Sequence, residues 1–530
     1  MKASFFLKAA TAYFGAHPVL TLVLLWALAL LVRRISRYRA AWRALGQAYE
    51  LNGCSRPVAY PHRDPIFGLD VALTAMAAAR KHRYTTDSAQ RFRDLGAYTY
   101  YTWIRGRQAI HTAEPENVRC LLSTRAQDYS IAGRRAFLGR FLGRGIFVAD
   151  GEDWARSRAR LRPSFAREHV ADLAIFERHV DSLLRVLPTD SSAVVSLQDC
   201  FLRFTFDLSS DFLVGHSTHT LTQPSPRDRK FGEAFSWSLS HVDKRMLRGP
   251  LERFYPIDPR EDKERRVCRD YMGAYADAAI AARRRAKMDA DKPSNDYHGR
   301  SGTEEKQRKS FLDELVEVIH DREVICDELM STMAAGRDAT ASLMSNMFHE
   351  LSRRPDIWQR LREDVRRALD GALPSYDQLR NLKLAQYMVN ETLRLYPPVF
   401  QNGRRAERDT ILPTGGGADG TAPVFVPKGT GVLFSVWTMH RRADLYGPDA
   451  ETFDPDRWAT PRPGWEYVPF GGGPRICLGQ QFALTAATYV VVRMAQEFAS
   501  VETADKAPWK ERVALTLFID DDVNCRLTRA

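Results

Sequence analysis

The ten residues Phe470-Gly-Gly-Gly-Pro-Arg-Ile-Cys-Leu-Gly479 constrain this chain more than any other stretch. They hold one cysteine, Cys477, in a glycine-rich loop that leads into a helical segment, Gln480 to Met494. A sulfur that ligates a metal must stay deprotonated. The metal itself, backbone N–H groups aimed at the sulfur and a nearby helix N-terminus keep it so. Gly472, Gly473 and Gly479 let main chain and a flat cofactor come close, Pro474 stiffens the loop, and Phe470 screens the sulfur from water. The bland alternative is a buried structural cysteine that follows a glycine turn.

Phe470, Gly473, Arg475, Cys477 and Gly479 meet the pattern Phe-x-x-Gly-x-Arg-x-Cys-x-Gly. The loop thereby resembles the cysteine-ligand loop of the cytochrome P-450 haem-thiolate monooxygenases. The resemblance implies haem b, iron protoporphyrin IX, with Cys477 as axial thiolate and metal ligand. It implies a mainly α fold with a smaller β-rich part, the cytochrome P-450 fold.

With 530 residues the chain is long enough for a large core. Its seven cysteines are scattered, odd in number and free of any C-x-x-C pair, which suits reduced thiols on the cytosolic side better than a disulfide framework. The net charge of +12 is compatible with nucleic acid, an anionic membrane or an acidic protein partner. The N-terminus selects among these. Pro18 to Val32 is apolar except for Thr21, Ala12 to Val32 is nearly so, and Arg33, Arg34, Arg37, Arg39 and Arg43 follow at once. The pattern predicts a single transmembrane helix whose arginine side faces the cytosol, with a cleaved signal peptide as the competing reading. Residues 1–32 are then a membrane anchor, 33–56 a basic juxtamembrane linker and 57–530 the catalytic domain. Membrane lipid is expected as a partner and nucleic acid is not.

Pro57, Pro61 and Pro65 mark an irregular start to the globular part. Tyr98 to Ile104 and Gln108 to Thr112 flank Arg105-Gly106-Arg107 like a hairpin. Helical periodicity then covers Asp153 to Leu161, Glu168 to Leu187, Gln198 to Leu213, Glu264 to Arg284 and Phe311 to His320. Met288 to Lys309 is nearly devoid of hydrophobics and reads as an exposed loop. A second hairpin is expected from Val424 to Val426 and Gly431 to Trp437, turning through Pro427-Lys428-Gly429 and lying beside the first.

Asp321 is placed to cap a helix running to about Arg354, about 50 Å long, and ending before Pro355. In its middle Ala334-Ala-Gly-Arg-Asp-Ala-Thr-Ala341 combines small residues, which leave room for a flat ligand, with polar groups in an apolar core. The segment resembles the same family's oxygen-activating helix, Ala-Gly-x-Asp-Thr-Thr. Ala335, Gly336, Asp338 and Thr340 match, and Ala339 stands where the family has the threonine that helps deliver protons. By that resemblance Asp338 and Thr340 are the catalytic pair. Thr340 lies about 100° further round the helix and is an imperfect substitute.

Glu391-Thr-Leu-Arg394 puts opposite charges one turn apart on a helix stopped by Pro397-Pro398. Taken alone it is an ordinary ion pair. The resemblance joins Glu391 and Arg394 to Arg457 of Phe453-Asp-Pro-Asp-Arg-Trp458 in a buried structural network. It also makes Trp154, Arg158, Arg404, Phe470 and Arg475 haem contacts, the arginines for the propionates. Arg156, Arg160 and Arg162, on other faces of the Trp154 helix, are either a docking face for an acidic electron donor or a plain solvated surface.

Gly415-Gly-Gly-Ala-Asp-Gly420 satisfies G-x-G-x-x-G, but no apolar strand precedes it and no helix follows, so it reads as a glycine-rich hairpin tip. Electrons must therefore come from another protein. Gly145-Ile-Phe-Val-Ala-Asp-Gly151, Met439-His-Arg-Arg-Ala-Asp-Leu-Tyr-Gly447 and Cys477-Leu-Gly-Gln-Gln-Phe-Ala-Leu484 are similar to the fungal microsomal branch that hydroxylates n-alkanes and fatty acids. That likeness implies the endoplasmic reticulum membrane, NADPH-cytochrome P-450 reductase as partner and an apolar small-molecule substrate hydroxylated at or near its chain end. The rivals are the same chemistry on a polyketide or terpenoid intermediate, a reductase-independent peroxide rearrangement and a membrane-tethered haem protein without turnover.

Overall fold

The computed structural model describes residues 18–64, 68–104, 107–131, 133–166, 171–248, 255–290, 309–460 and 464–530. Its principal helices are α1 (Pro18–Leu51), α2 (Arg134–Leu142), α3 (Gly151–Leu161), α4 (Ala174–Val186), α5 (Leu197–Val214), α6 (Pro226–Arg248), α7 (Pro259–Ala290), α8 (Phe311–Val318), α9 (Arg322–Leu351), α10 (Pro355–Leu369), α11 (Lys383–Leu395) and α12 (Gln480–Glu497); two further helices, Leu69–Arg80 and Tyr84–Asp94, lie between α1 and α2, with shorter helical turns elsewhere.

The organising element is α9. Asp321 caps it, its carboxylate accepting the N–H groups of Glu323 at 2.8 Å and Val324 at 3.4 Å. From Ile325 to Leu351 nearly every residue is buried, as expected of a helix apolar on most faces that crosses a core. It ends at Leu351, and Pro355 opens α10 as a first-turn proline. Beside it lies α5, which starts at a Ser196 cap and stops at Gly215 with φ 67°. The two axes come so close that a Cβ on Gly336 would sit 2.6 Å from Ser209 Oγ. The packing of α5 on α9 is thus one reason for a small residue at 336.

Strands β1 (Val58–Ala59), β2 (Thr99–Ile104), β3 (Arg107–Thr112), β4 (Tyr129–Ser130), β5 (Val194–Ser196), β6 (Gln401–Ala406), β7 (Thr410–Gly416), β8 (Ala422–Val426), β9 (Gly431–Ser435), β10 (Phe498–Thr503), β11 (Glu511–Val513), β12 (Leu517–Ile519) and β13 (Asn524–Arg529) form four small sheets. The largest has the order β1-β2-β3-β9-β6-β4. The first expected hairpin is present as antiparallel β2 and β3; Arg105-Gly106 lies outside the described residues. The second is not. β8 pairs back on β7, and β9 leaves for the large sheet, between β3 and β6. Pro427-Lys428-Gly429 is thus a crossover between sheets, and the tight turn sits upstream, where Gly415 N–H donates to Gly420 C=O at 2.8 Å. The Gly415–Gly420 run is the expected hairpin tip.

α1 runs without a break from the apolar stretch through the arginines to Leu51, so residues 33–51 of the expected juxtamembrane segment are helical. Among the described residues no helix is long and apolar enough to cross a membrane. Only Pro18 to Val32 of the expected span falls within α1; Ala12 to His17 lies outside the described residues. Val19, Leu22, Leu25, Trp26 and Val32 of α1 are nonetheless exposed. All seven cysteines are unpaired.

Candidate active site

The cysteine loop is bent by its own backbone. Gly471 N–H donates to Val468 C=O at 3.0 Å, Ile476 N–H to Gly473 C=O at 3.1 Å and Cys477 N–H to Phe470 C=O at 3.1 Å. Gly473 has φ +63°, and a Cβ there would stand 1.8 Å from Leu122 C=O. No other residue fits. Gly479 is different. Its φ is −84° and its Cβ would make ordinary contact with Phe165 at 3.6 Å, so the protein's own packing does not demand a glycine.

Cys477 is exposed, yet burial pushes its thiol above the ordinary range, against an N–H bond from Gly479 and the Arg158 charge that lower it. The sulfur is thus closely surrounded by protein and still keeps accessible surface. Gly479 is also the first residue before α12, so the sulfur receives an N–H from a helix start. The middle of α9 shows the same contrast. Ala335, Gly336, Arg337, Asp338 and Ala339 keep partial surface in an otherwise buried helix, whereas Thr340 is 5 % exposed. Ala339, which lacks the hydroxyl, thus borders the opening and Thr340 turns into the packing.

Four guanidiniums stand on the approach to this loop. Arg134, at the start of α2, and Arg404, on β6, both donate to Asn402 Oδ1, at 2.7 and 3.3 Å. Arg475 pairs with Asp150 and stacks on Trp154, 4.2 Å from the ring centroid. Arg158 also lies over Trp154, at 5.8 Å, and donates to Ile476 C=O at 2.9 Å. Burial and the neighbouring positive charges push Arg404 down to about 9 and Arg134 to about 10. Asp150, the carboxylate among them, also accepts the Ile131 and Gly151 N–H groups. Buried cations facing one another with so little negative charge make a site for anions. A haem brings two carboxylates and needs a thiolate, and this donor set fits it.

Behind the loop, Glu391 and Arg394 are fully buried and joined by two hydrogen bonds, Arg394 Nε to Oε2 at 2.8 Å and Nη2 to Oε1 at 2.7 Å. Glu391 further accepts from Asp454 N–H at 2.9 Å and Trp458 Nε1 at 3.0 Å. Arg394 donates to His440 C=O at 2.9 Å and Thr452 C=O at 3.1 Å. Arg457 approaches Glu391 at 3.6 Å but is held chiefly by Asp449 and by Tyr446 C=O. His440 completes the link to the cysteine loop. Val468 N–H donates to its Nε2 at 3.1 Å, so the proton sits on Nδ1, which donates to Arg394 C=O at 3.1 Å. Burial lowers His440 to about 3, keeping it neutral in that tautomer.

The residues that the resemblance named as haem contacts, catalytic pair and structural network therefore fall in three places: the cysteine loop with its arginines, α9 near its middle, and the network behind the loop. Arg134, Asn402 and Asp150, and in the network His440 and Trp458, complete them. Asp150, His440 and Trp458 stand inside conspicuous sequence phrases; Arg134 follows a glycine and precedes another arginine, with no signal of its own.

The cytochrome P450 family model matches residues 64–517. The chain is 46% identical to a cytochrome P450 monooxygenase, himC, of Aspergillus japonicus over 502 residues, covering 94% of this chain and 88% of that protein. It is 43% identical to the monooxygenase fsdH of Fusarium heterosporum over 483 residues, 91% of this chain and 84% of the relative. With cytochrome P450 52A3-A of Candida maltosa it shares 37% over 486 residues, 88% and 90% of the two chains. The chain belongs to the cytochrome P450 family. It is a monooxygenase, an oxidoreductase whose haem is held through the Cys477 thiolate, which takes electrons from a redox partner and binds an apolar substrate.

Proposed function

We propose that this monooxygenase inserts one oxygen atom of dioxygen into an unactivated C–H bond of an n-alkane or fatty acid, at or near the chain end. The observation that carries the haem chemistry is the Cys477 sulfur, surrounded by protein yet accessible, beside a surplus of arginines, and the sequence likeness to the fungal n-alkane and fatty-acid branch supports the substrate class. Bound haem supplies a thiolate-ligated metal centre that activates dioxygen. Arg475 on Trp154, with Arg158, Arg404 and Arg134, holds the propionates. Phe470, half-buried against the core, shields the sulfur, and the Gly479 N–H moderates its charge. Asp338 handles protons, whereas Thr340, expected as its partner, is turned into the packing. Burial raises the Asp338 pKa, against the lowering effect of Arg337, 3.6 Å away, and of Arg512.

The exposed apolar face of α1, followed by its arginines, supports an anchor in the endoplasmic reticulum membrane with the catalytic domain in the cytosol. NADPH-cytochrome P-450 reductase then delivers electrons to the basic face of α3, where Arg156 and Arg162 are exposed. A second reading, the same chemistry on a polyketide or terpenoid intermediate, is favoured by the polar groups Asp338, Arg337 and Ser236 in the interior, which a bare hydrocarbon cannot satisfy.

Aerobic NADPH consumption with purified reductase tests the choice. Dodecanoate is expected to stimulate turnover several-fold and to appear as a hydroxylated product. Oxidation of bulky rings but not chains selects the second reading, and no substrate-dependent turnover rejects both. Because Ala339 borders the opening, Ala339→Thr is expected to raise the fraction of reductant recovered as product by about 2-fold, with less peroxide. Unchanged or poorer coupling means that the proton path is built on other groups.

A further inference from the structure

α6 carries an acid for which the family pattern has no place. Asp243 lies two turns beyond Ser236, on the same helical face. Ser236 Oγ receives Arg337 Nη2 of α9 at 3.0 Å, so this face looks onto α9 where Arg337 and Asp338 stand. Asp243 Oδ1 accepts the Leu515 N–H at 2.6 Å from the β11–β12 turn, which leaves Oδ2 uncommitted. The charges facing it are Asp338 from α9, which repels its ionised form, and Arg512 from β11, which favours it. Burial dominates, and the Asp243 carboxyl is pushed up to about 7. Arg337 Nε and Thr516 Oγ1, next in sequence to Asp338 and Leu515, are buried without a hydrogen-bond partner among the described residues. Buried donors and acceptors of this kind call for ordered solvent as a partner, and the inference places that solvent in a gap between Asp243 and Asp338. Arg512, at the other side, is exposed.

We propose that Asp243 is a proton-supplying residue that acts through Asp338, the two carboxyl groups together replacing the hydroxyl missing at Ala339. The O–H bond at Asp243 Oδ2 breaks, the proton crosses the gap through solvent, and an O–H bond forms at the Asp338 carboxylate. Solvent entering past Arg512 restores the proton on Asp243. Electrons come from the redox partner and take no part in this step. The inference rests on the role assigned above to Asp338, and it gives a chain with Ala339 a second source of protons.

Asp243→Asn separates this role from a structural one, because the amide oxygen still accepts the Leu515 N–H while the proton is lost. In the full-length holoenzyme the variant is expected to keep its haem content and its carbon monoxide spectrum. The share of NADPH recovered as product should drop by about 5-fold in favour of peroxide, and Asp243→Glu should restore at least half of it. Wild-type coupling should decline as pH rises through 7, where Asp243 loses its proton, and the Asn variant should be flat. Infrared titration of the carboxyl band gives a readout without turnover. A band with a midpoint near 7 should vanish in Asp243→Asn and move down by about one unit in Asp338→Asn, once the repelling charge is gone. In the Ala339→Thr background, Asp243→Asn should cost less. Wild-type coupling in Asp243→Asn at every pH, or a midpoint indifferent to Asp338, overturns the proposal. Loss of haem in the Asn variant assigns Asp243 to structure alone. A wild type that turns over no substrate in the panel counts against the proposed function, and the infrared midpoints still decide whether the pair exists.

Discussion

Glu391→Ala is expected to destabilise the protein by about 3–5 kcal/mol and to strip most of the chains of haem. The reason is what remains. Arg394 would stay in a fully buried position with its Nε and one Nη2 bond unmade, and Asp454 N–H and Trp458 Nε1 would lose their acceptor. Arg394 orients His440, and His440 holds Val468, two residues before Phe470, whose carbonyl receives the Cys477 N–H. The damage therefore travels from α11 to the sulfur through four named contacts. Haem absorbance per mole of protein, read beside a thermal melt, checks it. The fraction of chains that do retain haem should choose substrates as the wild type does. A variant with full haem content and altered substrate preference would place Glu391 in the substrate site and contradict the architectural account.

Gly473→Ala is expected to be as severe for a different reason. The substituent must adopt φ +63°, costing about 1–2 kcal/mol, and its Cβ must also displace the Leu122 carbonyl, which is backbone and cannot rotate away. Neighbouring glycines grade the effect. Gly471→Ala carries a similar backbone strain, φ +72°, into open space, and Gly472→Ala meets the Trp465 ring at 2.5 Å. The order of haem loss should be Gly473 worst, Gly472 intermediate and Gly471 least. Equal losses at Gly471 and Gly473 would show that backbone strain alone, without the Leu122 contact, makes the loop glycine-rich.

The fold was legible where burial imposes a period and a cap ends it. Asp321, the apolar run to Leu351 and Pro355 predict α9 to within a few residues, and Phe311 to His320 closely matches α8. α6 was missed because Pro226–Arg248 is polar over much of its surface and buries a narrower set of side chains. Strand pairing failed at Pro427-Lys428-Gly429, since a turn signal says that the chain reverses and nothing about which sheet receives it. In the site, residues with a fixed spacing, such as Glu391 with Arg394 or Trp154 with Arg158, were visible in one dimension. Arg134, Asn402 and Asp243 were not, because each matters through a partner far away in sequence, Arg134 reaching Asn402, where Arg404 also donates, and Asp243 meeting Leu515. Gly336 teaches the converse. Its place in the α9 motif invited a ligand-based explanation, and the Ser209 contact supplies a packing one.

The whole account depends on an anionic Cys477 sulfur bonded to haem iron, and reduction of the purified protein under carbon monoxide tests that bond most directly. The account predicts the strongly red-shifted Soret band of thiolate-ligated haem in the wild type, and its loss in Cys477→His at comparable haem content. A folded, haem-loaded wild type without that band, or a Cys477→His variant that keeps it, would contradict the assignment.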